Sequence, residues 1–289
     1  MSDRAFSVVR PGALTTVQDR GRPGHAHLGV PRSGALDAPA AALVNRLVGN
    51  GPDAAVLETT LDGCAVRPRL PVTVAVGGAP CPVSVDGRPA PWGAPLRVPA
   101  GALLEVGAVV AGVRSYVAFD GGVAVEPVLG SRATDLLSGL GPAPLATGAV
   151  LPLGEPSGPH ARVDAVPQPA PPGELVLGVT LGPRSDWFTA AALETLTTRA
   201  YRVSSASNRI GLRTEGPALE RAVPGELPSE GMVLGAVQVP PDGTPVVFLA
   251  DHPTTGGYPV VAVVRERDLA AAAQAPPGTP VRFVRAGRG

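Results

Sequence analysis

Eight consecutive residues, Asp251-His252-Pro253-Thr254-Thr255-Gly256-Gly257-Tyr258, bring together an acid, an imidazole, two hydroxyls, paired glycines and a phenol. Asp251 and His252 are candidates for general acid or base work. The Thr254 and Thr255 hydroxyls, with backbone N–H groups at Gly256 and Gly257, are candidates for holding a developing oxyanion. Tyr258 would close one wall. A simple hairpin turn needs only a Gly or Asn at positive φ, so this composition exceeds what a turn requires. The plainer alternative is a wide polar turn whose Thr and Asp side chains satisfy its own backbone.

A second dense cluster, Gln18-Asp19-Arg20-Gly21-Arg22, sets two arginine forks beside a glycine. Arginine presents planar donors suited to carboxylate or phosphate. Arg20 and Arg22 are therefore candidate anion clamps, with Gln18, Asp19 and the nearby Ser33 as substrate contacts. An Asp19–Arg salt bridge pinning a turn is the alternative. A third cluster, Ser204-Ser205-Ala206-Ser207-Asn208-Arg209-Ile210-Gly211, adds Asn208 and a further clamp candidate, Arg209. Gln238 lies on an apolar strand shortly before the first stretch. His25 and His27 alternate and would share one face of a strand, but no third ligand is near in sequence, so no metal site is expected.

The elements that must position these clusters are mostly strands. The 289-residue chain has 37 Gly and 35 Pro but only 3% aromatic residues, which suits many short strands joined by turns rather than a helical bundle. Short apolar runs recur at 5–9, 14–17, 55–61, 72–76, 83–85, 96–98, 103–106 and 114–119, and again at 175–181, 201–203, 231–239, 246–250, 260–264 and 281–284. Asp86-Gly87 between two of them reads as a hairpin turn. Asp37 reads as an N-cap, opening a helix through about 48 that Gly49-Asn50-Gly51-Pro52 stops. Asn45 is its polar member, either a buried anchor or exposed. Other helices are read at 187–197 and from a cap at Asp268 through 274.

The Pro- and Gly-rich stretch 154–172 is read as a linker between an N-terminal β-rich domain at 1–160 and a C-terminal barrel domain at 173–289. The strand spacing implies closed or nearly closed barrels, and a faint echo between the halves suggests two similar ones. The expected class is thus mainly β: two barrel-like halves with a few short helices.

Composition also excludes. No Lys occurs anywhere, so there is no phosphate-loop lysine, no Schiff-base lysine and no lysine to carry covalent biotin. Formal net charge is zero, which makes nucleic acid and anionic membrane poor partners. Cys64 and Cys81 lack zinc or redox spacing and read as small buried hydrophobes in a reducing compartment. No apolar run reaches membrane-spanning length and the N-terminus has no signal core, so a cytoplasmic location is expected.

Several motifs together resemble a known family. They are Thr15-Thr16-Val17-Gln18-Asp19-Arg20-Gly21-Arg22, Gly29-Val30-Pro31-Arg32-Ser33-Gly34-Ala35-Leu36-Asp37, Ser207-Asn208-Arg209-Ile210-Gly211, Gly235-Ala236-Val237-Gln238 and Asp251 through Pro259. The chain is similar along nearly its whole length to the biotin-dependent carboxyltransferase family, also called allophanate hydrolase subunit 2. That family includes the C-type component of prokaryotic 5-oxoprolinase and the KipA-like antagonist of the sporulation kinase inhibitor. The resemblance implies cyclophilin-like barrels and two 5-oxoprolinase partners: a B-type, KipI-like protein of the kinase-inhibitor kind, and an A-type protein. It implies ATP-dependent hydrolysis of 5-oxoproline to glutamate, with ATP held mainly by a partner. Alternatives within the family are the carboxyltransferase half of a urea-type carboxylase with its carrier elsewhere, or a non-enzymatic regulator. Asn208 stands where many relatives have Asp, and His252-Pro253 replaces a more usual pair. A cleft lined by 18–22, 207–211 and 251–258 is expected to form the site.

Overall fold

A computed structural model describes residues 4–163, 166–167 and 173–286. Contacts divide the chain into two compact units. The first comprises the described residues of Met1–Arg22, Ser33–Asp135 and Gly139–Pro171; the second those of Pro23–Arg32, Leu136–Ser138 and Pro172–Gly289.

In the first unit the strands are β1 (Ala5–Arg10), β2 (Leu14–Gln18), β3 (Val56–Thr60), β4 (Cys64–Pro68), β5 (Val72–Gly78), β6 (Val83–Val85), β7 (Arg88–Ala90), β8 (Pro95–Val98), β9 (Leu104–Val106), β10 (Arg114–Phe119) and β11 (Val150–Pro152), with helix α1 (Ala38–Leu47) between β2 and β3. They form a six-stranded sheet, β11-β1-β4-β9-β6-β7, and a five-stranded sheet, β2-β3-β10-β5-β8. The mainly β class holds, and here the strands form two sheets rather than one closed ladder: β1 and β2, though consecutive, join different sheets, and the two sheets sandwich one core. Phe6, Val8 and Val66 from one sheet meet Leu57, Val74, Val117 and Phe119 from the other. The Phe6 and Phe119 rings stack at 4.8 Å.

Side chains alternate along a strand, so the five-stranded sheet has a second face. Its residues Val56, Ala75, Tyr116 and Ala118 pack on Ala41, Val44 and Leu47 of α1. Both faces are covered, which is why β10 reads as a run of buried residues without alternation. Helix α1 starts where Asp37 accepts the Ala40 N–H, with Pro39 in its first turn. Asn45 is a buried anchor: its Nδ2 donates to the Ala54 carbonyl at 2.7 Å and its Oδ1 accepts from Asn50 at 3.0 Å. The Asp86-Gly87 turn joins β6 to β7 with both residues at positive φ.

The stretch read as a linker is only partly one. Gly154 donates to Gly122, Ala161 to Leu47 and Val166 to Gly93, so its described first part packs along the first unit. Residues 164–165 and 168–172 lie outside the described residues.

The second unit contains β12 (Leu175–Leu181), α2 (Ala190–Thr198), β13 (Tyr201–Val203), β14 (Gly211–Glu215), β15 (Glu230–Gly231), β16 (Ala236–Gln238), β17 (Val246–Phe248), β18 (Thr255–Gly256), β19 (Val260–Val264), α3 (Glu266–Ala273) and β20 (Pro280–Arg285). Seven of these strands close a barrel in the order β12-β19-β16-β17-β14-β13-β20. Closure comes from the parallel pairing of β12 with β20, Leu177 opposite Phe283. The run read as one strand at 231–239 is interrupted: β15 leaves the barrel to pair with β18. Asp268 does not cap α3. It lies in the first turn, with Arg265 at the N-cap, and its carboxylate accepts the Gly178 N–H from β12 at 2.8 Å. No helix among the described residues is long and apolar enough to cross a membrane.

Candidate functional site

In the second unit, two of the clusters meet. The chain leaves β17 through Leu249 and Ala250 and runs beside the turn before β14. Leu249 donates to the Ile210 carbonyl and Asp251 to the Arg209 carbonyl. These bonds set Arg209 against Asp251: Nε to Oδ2 at 2.9 Å and Nη2 to Oδ1 at 3.0 Å. Both side chains are almost wholly buried, at 1% and 0% exposure. The Leu136 N–H also donates to Asp251 Oδ2 at 3.3 Å. Charges in such surroundings are stable only when paired and hydrogen-bonded. The pair thus engages the two groups expected to act as clamp and as acid or base. The geometry makes them the scaffold of the turn.

Asn208 likewise serves local structure. It is exposed, and its Oδ1 accepts from the Ile210 and Gly211 N–H groups at 2.9 and 3.2 Å, closing the turn.

His252 is the titratable group that this scaffold presents. Its ring stacks on Phe248 at 5.8 Å. Nδ1 donates to the Pro253 carbonyl at 2.7 Å, which leaves Nε2 as the acceptor nitrogen. Burial pushes the imidazole below its usual pKa, against smaller opposing effects of that hydrogen bond and of Asp251. A neutral ring with a free lone pair is a base at neutral pH.

Beyond it the segment becomes an arm. Thr254 accepts from the Met232 N–H at 2.9 Å, and Thr255 and Gly256 pair with Gly231 and Glu230. Gln238, buried on β16, donates through Nε2 to the Tyr258 carbonyl at 3.2 Å. A Cβ at Gly256 would lie 2.7 Å from that same nitrogen, so glycine there lets the arm close over Gln238. Gly257 follows the arm, and Tyr258 leaves its ring half exposed, at 42%.

In the first unit, the arginine cluster divides by depth. Arg20 is on the surface, paired with Asp53 at 2.9 Å. Asp19 organises the loop: Oδ1 accepts from Gly21 N–H and the Ser131 hydroxyl, and Oδ2 from Arg132 N–H at 2.6 Å. Asp19 is thus taken up by backbone and hydroxyl donors rather than by the Asp19–Arg bridge considered as the alternative. Arg22 is buried at 1% exposure. Its Nη2 donates to the Ala133 carbonyl and Nε to Val128, while Nη1 has no partner. Gln18 is buried too, donating through Nε2 to Thr16 Oγ1 and the Thr134 carbonyl, both at 3.0 Å, with Oε1 unpartnered. The Ser33 hydroxyl donates to that same Thr134 carbonyl at 3.0 Å. Ser33 holds a positive φ of 53°, and Gly34 follows at 97°, which lays this loop against residues 19–21.

Sequence reading did not single out Ala133 and Thr134, because nothing in an Ala-Thr step signals chemistry. The feature that finds them is tertiary: Gln18, Arg22 and Ser33 all donate to their carbonyls.

His25 and His27 do not share a strand face. Residues Ala26–Leu28 form a single helical turn, and His27 Nδ1 lies 3.1 Å from the Gly24 carbonyl. Among the described residues no group of three or more His, Cys, Asp or Glu is placed to hold a metal ion.

Comparison with known proteins gives one consistent family. Residues 28–285 match the model of the carboxyltransferase domain, subdomain A and B. The chain is 38% identical to the C-type component of 5-oxoprolinase from Escherichia coli K12, over 96% of this chain and 90% of that one. It is 35% identical to the urea amidolyase of Lachancea kluyveri, over 97% of this chain but 17% of that protein. Its fold superposes on the Kluyveromyces lactis urea carboxylase with a TM-score of 0.88 and 32% identity, covering 97% of this chain and 27% of that one.

Proposed function

Because this chain belongs to the family of carboxyltransferase domains with subdomains A and B, we propose that it works as the C-type component of an ATP-dependent 5-oxoprolinase. In this reading it acts with A-type and B-type partner proteins to open the lactam of 5-oxoproline to glutamate. The observation that carries it is extent: the similarity runs through 90% of the Escherichia coli 5-oxoprolinase component, against 17% of the Lachancea urea amidolyase.

Lactam opening breaks a C–N bond and passes through an oxyanion, so fixed donors and a base are required. His252, neutral and with Nε2 available as acceptor, is the proposed base. The Thr254 and Thr255 hydroxyls and the Gly256-Gly257 backbone are the proposed oxyanion donors, and the Tyr258 ring a wall. Arg209 and Asp251 hold this segment in place through their ion pair. The donor set does not fit a nucleotide triphosphate site of the phosphate-loop type, since the chain has no Lys. In this reading ATP is held mainly by a partner, and no step here runs through it.

The second reading is favoured by the fold match to a urea carboxylase: this chain would be a carboxyltransferase half. With no Lys to biotinylate, its carrier would be another chain or domain.

The test is glutamate release from 5-oxoproline and ATP by this chain co-expressed with A-type and B-type 5-oxoprolinase proteins. Turnover that needs all three chains and falls at least tenfold in His252→Asn supports the oxoprolinase reading. A folded complex without turnover, but active with carboxybiotin and a urea-like acceptor, replaces it with the second.

A further inference from the structure

We infer that the cavity lined by Thr73, Arg97, Asp120 and His160 is a binding site for an acidic α-amino acid. Strand register builds it. Thr73 on β5 pairs with Arg97 on β8, and the Asp120 N–H, one residue past β10, donates to the Thr73 carbonyl at 2.8 Å. Asp120, Thr73 and Arg97 therefore form one row across three neighbouring strands. Alternation puts them on the face of Ala75 and Ala118, the face on which α1 packs. His160 comes from the segment after Gly154, where the next residue, Ala161, donates to the Leu47 carbonyl at the end of α1 at 2.8 Å. The four residues line one cavity of ≈ 420 Å³, with Pro95 and Leu96 as its apolar wall. That is the size of a small-molecule pocket, and all its residues belong to the first unit.

The polar groups in this cavity are incompletely used. Asp120 is buried, at 7% exposure. Its Oδ1 accepts from Arg4 Nη2 at 3.0 Å, but its Oδ2 has only Arg97 Nη1 at 3.9 Å, beyond hydrogen-bond reach. Through that same nitrogen Arg97 donates to Thr73 Oγ1 at 3.3 Å, and the rest of its fork has no partner among the described residues. The His160 ring has none either.

These leftover groups are complementary to one kind of ligand. A carboxylate oxygen short of a donor suits an ammonium, and a spare guanidinium fork beside an imidazole N–H suits carboxylates. Charge narrows the class. Arg4 and Arg97 set two positive charges against the single negative charge of Asp120. A ligand that neutralises this cluster carries an ammonium and one net negative charge. An amino acid with a side-chain carboxylate has both, and its methylene groups can lie on Pro95 and Leu96. The site goes beyond the oxoprolinase reading and does not rest on it; under that reading glutamate is the product, and the cavity responds to its level.

The experiment is calorimetric titration of the full chain with L-glutamate, L-aspartate, glutarate, which lacks the ammonium, and L-alanine, which lacks the second carboxylate. It is repeated in Arg97→Met and Asp120→Asn, with the urea midpoint of each. The Arg97 side chain is 61% exposed, so Arg97→Met keeps the midpoint. The expected result is binding of L-glutamate or L-aspartate at least tenfold tighter than of glutarate or L-alanine. Arg97→Met, at unchanged midpoint, and Asp120→Asn each weaken it at least tenfold. No saturable binding of either acidic amino acid overturns the site. So does binding that Arg97→Met leaves unchanged, and so does glutarate binding as tightly as glutamate. Binding by a chain whose complex does not turn over 5-oxoproline upholds the site without that reading. Turnover without binding of either amino acid to the chain overturns the site and leaves the reading standing.

Discussion

Arg209 and Asp251, 42 residues apart, form a two-point ion pair out of contact with solvent, Nε to Oδ2 at 2.9 Å and Nη2 to Oδ1 at 3.0 Å. The pair ties the turn before β14 to the segment after β17, and so determines where His252 and the arm beyond it begin. Its energetics follow from burial. Removing one partner leaves the other as an uncompensated buried charge, which costs about 3–5 kcal/mol. Arg209→Ala and Asp251→Ala are each expected to destabilise by that order in urea denaturation. The double change Arg209→Met with Asp251→Leu should recover part of the loss, because the two paired charges leave together. Equal or additive losses in the double variant would show that the pair's worth lies elsewhere.

His252 gives an acid limit to stability. Its ordinary pKa is 6.5 and burial lowers it in the folded chain. Between those two values the unfolded chain binds the extra proton and the folded one does not, so stability falls as pH drops below about 6.5. Above that pH the residue contributes no slope. Denaturation midpoints measured from pH 7.5 downward should show the decline in the wild type and a flatter curve in His252→Phe, which keeps the stack on Phe248.

Gly34 is held at φ 97°, and a Cβ there would lie 2.8 Å from both the Arg20 carbonyl carbon and the Gly21 nitrogen. Both neighbours are backbone and cannot swing aside. Gly34→Ala is expected to cost more than ~1 kcal/mol, since the conformation itself excludes a side chain. Thermal denaturation checks the cost.

Neither thiol should be reactive. Cys64 and Cys81 are free and buried. Burial pushes the Cys64 thiol up to about 12 and raises that of Cys81, and the thiolate is the reactive form. A chromogenic disulfide reagent at pH 8 should find no accessible thiol in the native chain and two after unfolding. Rapid modification of the native protein would contradict this burial.

What the sequence determined is local. Asp37 caps α1 because a short acceptor side chain there meets free helix N–H groups. Asp86-Gly87 turns β6 into β7 because those residue types tolerate positive φ. Alternation and short apolar runs give a mainly β chain, and the motifs from Thr15 to Arg22 and from Asp251 to Pro259 identify the family. The polar clusters were legible for the same reason: their residue types exceed what turns need.

Only the tertiary structure decided what those residues do. The strands of the first unit make a sandwich because β1 and β2 part to different sheets, a choice that no strand's own pattern contains. Asp251 and Arg209 become scaffold because the fold buries them together. Arg22 and Gln18 are left with unpartnered atoms because Ala133 and Thr134, more than 110 residues away, take up their other donors. Strand pairing and burial are set by contacts remote in sequence, and the charge state and availability of a side chain follow from burial rather than from residue type.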